Sequence, residues 1–597
     1  MKNNMNYQLS KDKEKNSEKN GDEAYNKRVL KSIKEISAYL DKKKFFIALA
    51  FAFVSSAVTV LTPFLLGQAI DRYIVGNDLP GLVRLIIFLS VIYLIGAVTT
   101  YFQQNIMGKA SQAALYKIRG TIFAKIQSLP IAFFSQNKTG DLMSRINNDT
   151  DKLSQFLSES ILRFTGSAFT LVGIGIFVVY LNWKLGLVLL SSTLFLFIIT
   201  RIVSPTLEKS NKLTSATLGT FTAGVSEQLT NFKAIIAFNR RNFFEDFLSG
   251  LNTDIYRKSR LSGFLNQVFS PLYDFAGYIA QAVVLVYGVY LIEHGELSVG
   301  LLIGFLGFAL RFYDPLRWIA NIFGQIQVSL ASWGRIKDIL EMESDLVVSN
   351  GTLGSMGPIA ATIAFDNVCF GYSNDRKVLD NVSFDLEDGK TYALVGPTGG
   401  GKSTIASLMS RLYDPTSGVI YWKGRDMRSF SPEELSASIS VILQEPYLFS
   451  GTVAENIKYG NAKLKDMKDA DLVAHLDAKS MTELLKRLPE GLETKVETGG
   501  ENISIGQKQL ISFVRTVLRE PELLILDEAT ANIDTVTEST LQSLIDSLGA
   551  HTTKVIIAHR LNTIKEADEI LFVSGGEVKR VSDEKEVLEL LKGASRS

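Results

Sequence analysis

The sequence predicts two joined halves: an α-helical membrane domain of six transmembrane helices, then an α/β domain wound on a mostly parallel sheet. Three observations carry this. Uncharged runs at residues 45–70, 85–108 and 164–183 are 26, 24 and 20 residues long, and about 20 apolar residues cross a bilayer as a helix. After residue 340 no run could span a membrane, and short apolar segments at 391–395, 523–526 and 555–558 alternate with helical stretches. That alternation is the pattern of a covered parallel sheet. Between the halves, the stretch from Ser349 to Pro358 has the Gly, Ser and Pro content of a linker.

Composition narrows the function classes. Lys+Arg is 63 and Asp+Glu is 62, a net charge of +1, which excludes a nucleic-acid binder that works through global charge. Apolar residues at 46% and charged residues at 21% exclude a disordered chain. The single cysteine, Cys369, rules out an internal disulfide and a Cys-cluster metal site. The four histidines, His294, His475, His551 and His559, are too scattered for zinc.

Residues 1–24 are polar, rich in Lys and Asn, and expected to be disordered. Over 25–41, Val29, Leu30, Ile33, Ile36 and Leu40 recur at helical spacing beside Lys27, Arg28, Lys31 and Lys34. A basic amphipathic helix before a hydrophobic run is expected to lie at a membrane interface. The membrane domain takes 42–340. Its shorter runs at 185–200, 275–292 and 297–310 read as spans because tight turns starting at Asn182 and Glu293 join apolar neighbours as antiparallel helices. Basic residues gather on one side of the membrane, among them Lys42, Lys43, Lys44, Lys109, Arg119, Arg201, Arg240 and Arg241. Only Arg72, Arg84 and Lys184 fall on the other. The positive-inside rule then places both termini in the cytoplasm. The stretches 109–160 and 201–262 keep a helical rhythm, so the membrane helices are expected to continue beyond the bilayer. Asp274, Arg311, Asp314 and Arg317 are expected to form an intramembrane charge cluster that is paired or faces a cavity. A linker at 341–358 leads to the α/β domain at 359–597.

The chemistry sits in that second domain. Gly396, Pro397, Thr398, Gly399, Gly400, Gly401, Lys402 and Ser403 match GxxxxGK[ST] between a strand and the helical stretch that opens at Thr404. This is the phosphate-binding loop of P-loop NTPases. Its glycines let backbone N–H groups wrap phosphate oxygens, and the following helix start favours the anion. Lys402 is expected to reach the β- and γ-phosphates, and Ser403 to hold Mg²⁺. Asp527 and Glu528 end an apolar strand. Asp527 lies where a Mg²⁺ ligand belongs, and Glu528 is placed to polarise an attacking water.

Further motifs follow in order. They include Tyr372 after Phe370 and Gly371, Gln444 before Glu445 and Pro446, the run from Ile503 to Gln507, the run from Ala531 to Asp534, and His559 before Arg560. With these, 363–587 resembles the nucleotide-binding domain of an ABC transporter. The whole chain resembles a bacterial multidrug-type ABC half-exporter. The resemblance implies that Tyr372 stacks on adenine, Gln444 senses Mg²⁺ and His559 contacts the γ-phosphate. It implies that Ser504, Gly506 and Gln507 of the signature act on ATP held by a second chain. Residues 133–145 and 232–239 resemble the segments that couple ATPase to membrane helices. The implied activity is ATP-driven export of hydrophobic or amphipathic small molecules across the cell membrane, with Mg²⁺, membrane lipids and a second half-transporter subunit as partners and no nucleic acid. Lipid or peptide export, or a regulatory ATPase on the same fold, are the alternatives the residues leave open. The signature departs from the family pattern: Ile505 stands where the pattern has glycine. That departure implies a heterodimer with unequal ATP sites.

Overall fold

The computed structural model describes residues 7–9, 22–344, 346, 361–372, 376–443, 446–478, 481, 488–527, 542, 545, 548–558 and 564–594, some helical positions by backbone alone. The chain divides into two compact units. One comprises Ser10–Lys125 and Gly140–Leu340; the other comprises Met1–Leu9, Ile126–Thr139 and Glu341–Ser597.

The described part of the first unit is built of helices. Asp41 caps Lys42–Gln68, its carboxylate accepting from the N–H groups of Lys43 and Lys44. Leu79–Gln127, Trp183–Thr230, Arg241–Glu293 and Val299–Leu340 contain 49, 48, 53 and 42 residues. At 1.5 Å per residue each is about 60 Å long or more, twice the hydrocarbon core of a bilayer. They outrun a membrane, as the rhythm of the connecting stretches implied. Among the described residues, five helices are long and apolar enough to cross: Lys42–Ile74, Leu79–Gln127, Thr139–Leu181, Asp274–Glu293 and Val299–Leu316. The expected span at 185–200 is helical within Trp183–Thr230, but several of its side chains lie outside the described residues.

Small residues let the first and last of these helices meet. A Cβ on Gly300 would collide with the Gly67 carbonyl oxygen. Asp71 then satisfies the start of Val299–Leu340, accepting from Ser298 Oγ, from Gly300 N (2.7 Å) and from Leu301 N (3.1 Å). Those N–H groups have no partner within their own helix, and the carboxylate also complements its dipole. Ile174, Val178, Leu189, Val284, Phe305 and Phe308 pack as the core.

Residues 133–145, the stretch that resembles a coupling segment, are shared between the two units. Ile131–Gln136 belongs with the second unit, whereas Arg145 is buried in the first. There its guanidinium bonds Asp141 and the Arg335 carbonyl, because a buried cation needs oxygen partners. Asp149, also buried, accepts from Ser332 Oγ (3.1 Å) and Arg335 Nε (2.8 Å). Three residues of the expected charge cluster line hollows. Arg311 and Asp314 line a cavity of about 650 Å³. Asp274 faces a hollow of about 130 Å³ that Asp314 also lines, with Tyr278 and Tyr313. The Arg317 side chain lies outside the described residues.

The amphipathic stretch forms helix Asp22–Ser37. Glu35 ties it to the end of Val299–Leu340, accepting from Trp333 Nε1 (3.0 Å) and Lys337 Nζ (2.7 Å). Burial pushes the Glu35 carboxyl up, but hydrogen bonds from Lys337 and Trp333 outweigh it and hold the group below the usual carboxylate range.

The second unit contains β1 (Ala361–Phe370), β2 (Leu379–Glu387), β3 (Thr391–Val395), β4 (Ser417–Trp422), β5 (Arg425–Asp426) and β6 (Ile439–Ile442). After these come β7 (Gly451–Thr452), β8 (Lys495–Val496), β9 (Leu523–Asp527), β10 (Thr553–Ile557), β11 (Glu569–Ser574) and β12 (Glu577–Val581). One antiparallel sheet has the order β2-β1-β4-β5. The main sheet has the order β12-β11-β3-β10-β9-β6, parallel except for β12 at its edge. Tyr392–Val395 of β3 and Leu523–Leu526 of β9 are buried without alternation, as strands covered on both faces must be. Tyr7 and Leu9, inside the stretch expected to be disordered, are buried in this unit. The Tyr7 N–H donates to Gln136 Oε1 (2.9 Å) and the Leu9 N–H to Asn137 Oδ1 (3.0 Å), while Asn137 Nδ2 donates to the Tyr7 carbonyl (2.9 Å). Most of the expected linker lies outside the described residues.

Candidate functional site

The site forms where β3 ends and helix Lys402–Met409 begins, two strands from the end of β9 with β10 between. The chain must reverse tightly here. Gly396 has φ +154°, and a Cβ on it would collide with the Val573 carbonyl oxygen. Gly401, with φ +111°, immediately precedes the helix. Both positions suit only glycine. Lys402 is buried, its Nζ donating to the carbonyl oxygens of Gly396 (2.8 Å) and Pro397 (3.0 Å). Gly400 N–H closes the turn on the Pro397 carbonyl. Ile405 is the first residue to donate back, to Gly401 (3.0 Å). The N–H groups of Lys402, Ser403 and Thr404 therefore have no acceptor within the helix, which makes its start an anion site.

A cavity of about 760 Å³ opens on this loop, and Thr398, Gly399, Lys402, Ser403, Thr404 and Asp527 share its wall. Tyr372 stands at its side. The ring is held edge-on by Phe370 (5.0 Å) and Tyr413 (5.2 Å), and its hydroxyl is 3.2 Å from Thr404 Oγ1. It is 45% exposed, which leaves surface free to stack on a flat base. The Ser403 hydroxyl and Asp527 carboxylate are hard oxygen donors on one wall. They fit Mg²⁺, which takes one or two protein oxygens and completes its shell with phosphate and water. No group of three or more His, Cys, Asp or Glu that could hold a metal gathers among the described residues.

The structure brings together the phosphate loop, Asp527 and Tyr372. Gln444, Glu528, His559 and the run from Ala531 to Asp534 lie outside the described residues. Ser504, Gly506 and Gln507 do not line this cavity. They sit at the start of helix Ile505–Val517, where Ser504 Oγ accepts from Gln507 N (3.3 Å) and Gln507 Oε1 accepts from Ser504 N (3.1 Å). This reciprocal cap locks the helix entry. Ile503 is buried behind it, and Ile505 projects with 56% of its surface exposed. The cavity wall also includes Arg376 and Lys377, which sequence reasoning missed. Their one signal was a basic pair shortly after Tyr372. Lys377 donates to Asp380 (2.9 Å), and that hydrogen bond raises its ammonium above the usual range.

Residues 45–316 match the ABC transporter transmembrane region, and residues 379–531 match the ABC transporter ATP-binding pattern. The chain is 33% identical over 554 residues to the ABC transporter ATP-binding protein YfiC of Bacillus subtilis (strain 168), covering 92% of this chain and 90% of the relative. It is 31% identical to a fatty acid ABC transporter ATP-binding/permease protein of Mycobacterium bovis, over 86% of this chain and 80% of that one. It is 29% identical to a multidrug resistance ABC transporter ATP-binding and permease protein of Lactococcus lactis, over 83% of each. Its fold is similar to that of a solved bacterial Atm1-family ABC exporter with ATP bound, at TM-score 0.76 and 24% identity, covering 92% of this chain and 96% of that one.

Proposed function

The chain belongs to the ABC transporters, as an exporter with fused transmembrane and ATP-binding regions, and from that premise we propose how its ATPase is coupled and what it moves. The cargo is an amphipathic molecule. One relative is named for fatty acids, which are amphipathic, and another for multidrug resistance, which supports this reading over peptide export or a regulatory ATPase. The working unit is a dimer in the cell membrane, with both termini and the ATP-binding region in the cytoplasm. The charge bias of the connecting stretches supports that orientation.

One observation carries the coupling scheme. The cavity gathers Tyr372, Lys402, Ser403, Thr404 and Asp527, while the capped signature helix contributes nothing to its wall. ATP bound by this loop therefore takes its signature from a second subunit. Lys402 exchanges two loop carbonyls for phosphate oxygens. Ser403, Asp527 and Gln444 hold Mg²⁺, which when bound neutralises charge on the transferring phosphoryl group. Glu528 polarises the attacking water, and His559 donates to the γ-phosphate. Phe232 and Phe238 of the segment 232–239 are exposed, which suits an apolar seat on the partner's ATP-binding region.

Inverted membrane vesicles test the reading. ATP should drive accumulation of a fluorescent amphiphile in vesicles that carry the transporter, and Lys402→Ala should abolish it. Accumulation that persists in K402A, or that needs no ATP, would overturn the proposal.

A further inference from the structure

The cavity of about 650 Å³ in the helical unit is walled by four helical segments, and polar side chains outnumber apolar ones on its wall. Ser55, Ser56 and Thr59 share one face of Lys42–Gln68. Gln103 and Gln104 come from Leu79–Gln127. Among the described residues no aromatic one is on the wall, although flat hydrophobic cations are held chiefly by aromatic faces.

Two guanidiniums line this cavity, from Arg163 and Arg311. Arg311 lies twelve residues from Val299 in Val299–Leu340, about 18 Å along the axis and well inside a bilayer's depth. An arginine there is costly and normally pairs. Neither has a hydrogen bond or an ion pair among the described residues. Arg163 stacks over the Trp318 ring instead, 4.3 Å from its centroid. Trp318 follows Arg311 by seven residues, two turns on the same helix face, so this one face carries Arg311 and the ring that holds Arg163. Two carboxylates also reach the wall, Glu159 and Asp314. Asp314 is already engaged, as is Asp274 in the neighbouring hollow. The uncommitted groups are two cations against Glu159 alone.

We propose that this cavity binds the head of an amphiphile bearing an anionic group, phosphate or carboxylate, through Arg163 and Arg311, with its tail toward lipid. Guanidinium forks match such oxygens in pairs, and the serine, threonine and glutamine side chains satisfy the remaining polar atoms. This rests on the export reading above and specifies its cargo.

Trp318 supplies a reporter beside Arg163. The full-length transporter in phosphatidylcholine nanodiscs is titrated with dodecyl phosphate, dodecanoate and dodecyltrimethylammonium, all below their micellar concentrations, and followed by tryptophan fluorescence. Trp318→Phe identifies the local signal. Dodecyl phosphate or dodecanoate should half-saturate at least tenfold lower than the ammonium probe, and the better of the two identifies the anion. Arg163→Gln with Arg311→Gln should reduce that preference to less than twofold. Equal or cation-favouring binding by the unmodified protein overturns the proposal without any variant having to fold, and so does a preference that survives both substitutions. Vanadate trapping of nucleotide in the same nanodiscs tests the export reading separately. Its absence even with a co-expressed second half-exporter would count against that reading, whereas trapping without an anionic preference would count against this one alone.

Discussion

Lys402 is set before its ligand arrives. Its buried ammonium already bonds two loop carbonyls, so binding phosphate swaps oxygens and does not order a free side chain. Hydrolysis is then assigned to Glu528. Glu528→Gln keeps the shape and hydrogen bonding but removes the base, and general-base catalysis is worth about 10²–10⁴-fold. Phosphate release should fall at least ~100-fold, while nucleotide binding, measured with labelled ATP, persists. Normal turnover in E528Q would place the base elsewhere. The loop residues that hold Lys402 were legible in the sequence because a phosphate loop is local: its consecutive residues need no distant partner. Arg376 and Lys377 were not, since they reach the cavity only through the antiparallel pairing of β1 with β2, in which Phe370 faces Leu379.

Helix ends show where periodicity stops being informative. The rhythm of apolar residues was enough to foresee helices of 42 to 53 residues. It could not show that Asp71 caps a helix more than two hundred residues later, or that Arg145 bonds Arg335. Such pairs leave no spacing to read. Asp71→Ala strands the Gly300 N–H and leaves Leu301 N–H only the Ser298 hydroxyl, and losing a cap costs about 1–2 kcal/mol. A lower apparent melting temperature in detergent is the expected result, and an unchanged one would mean the cap is dispensable. Glu35 offers a pH test. A carboxylate whose folded pKa is depressed adds stability that is complete above its unfolded value and is lost as pH falls through its folded one. The ordinary value is 4.5 and that of Glu35 is lower. Amide exchange in Asp22–Ser37 should therefore be slow and pH-insensitive in its protection above 4.5, and protection should drop below it. Glu35→Gln should lack that drop; a drop of equal size in E35Q would assign it to another group.

At the scale of the assembled transporter, we propose that Ile505 sets the symmetry. It opens helix Ile505–Val517 with ordinary helical backbone, so a demand for positive φ is not the reason a glycine would be preferred there. The difficulty is its side chain. More than half exposed at the helix start, it adds a branched side chain beside Ser504 and Gln507 where the family pattern has none. The phosphate loop and Asp527 carry no comparable defect. In a homodimer both ATP sites would meet the obstructed signature. In a heterodimer, one site would pair this chain's sound loop with a partner's sound signature, and only the other would be slow. We therefore expect the chain purified alone to hydrolyse ATP weakly, and co-expression with a second half-exporter from the same cell to restore turnover. Ile505→Gly in the chain alone should raise its rate about tenfold, which corresponds to a barrier change of about 1.4 kcal/mol. Vigorous ATPase by the unmodified chain alone, with mass photometry showing only homodimers, would show that the isoleucine is tolerated and the two sites are equal.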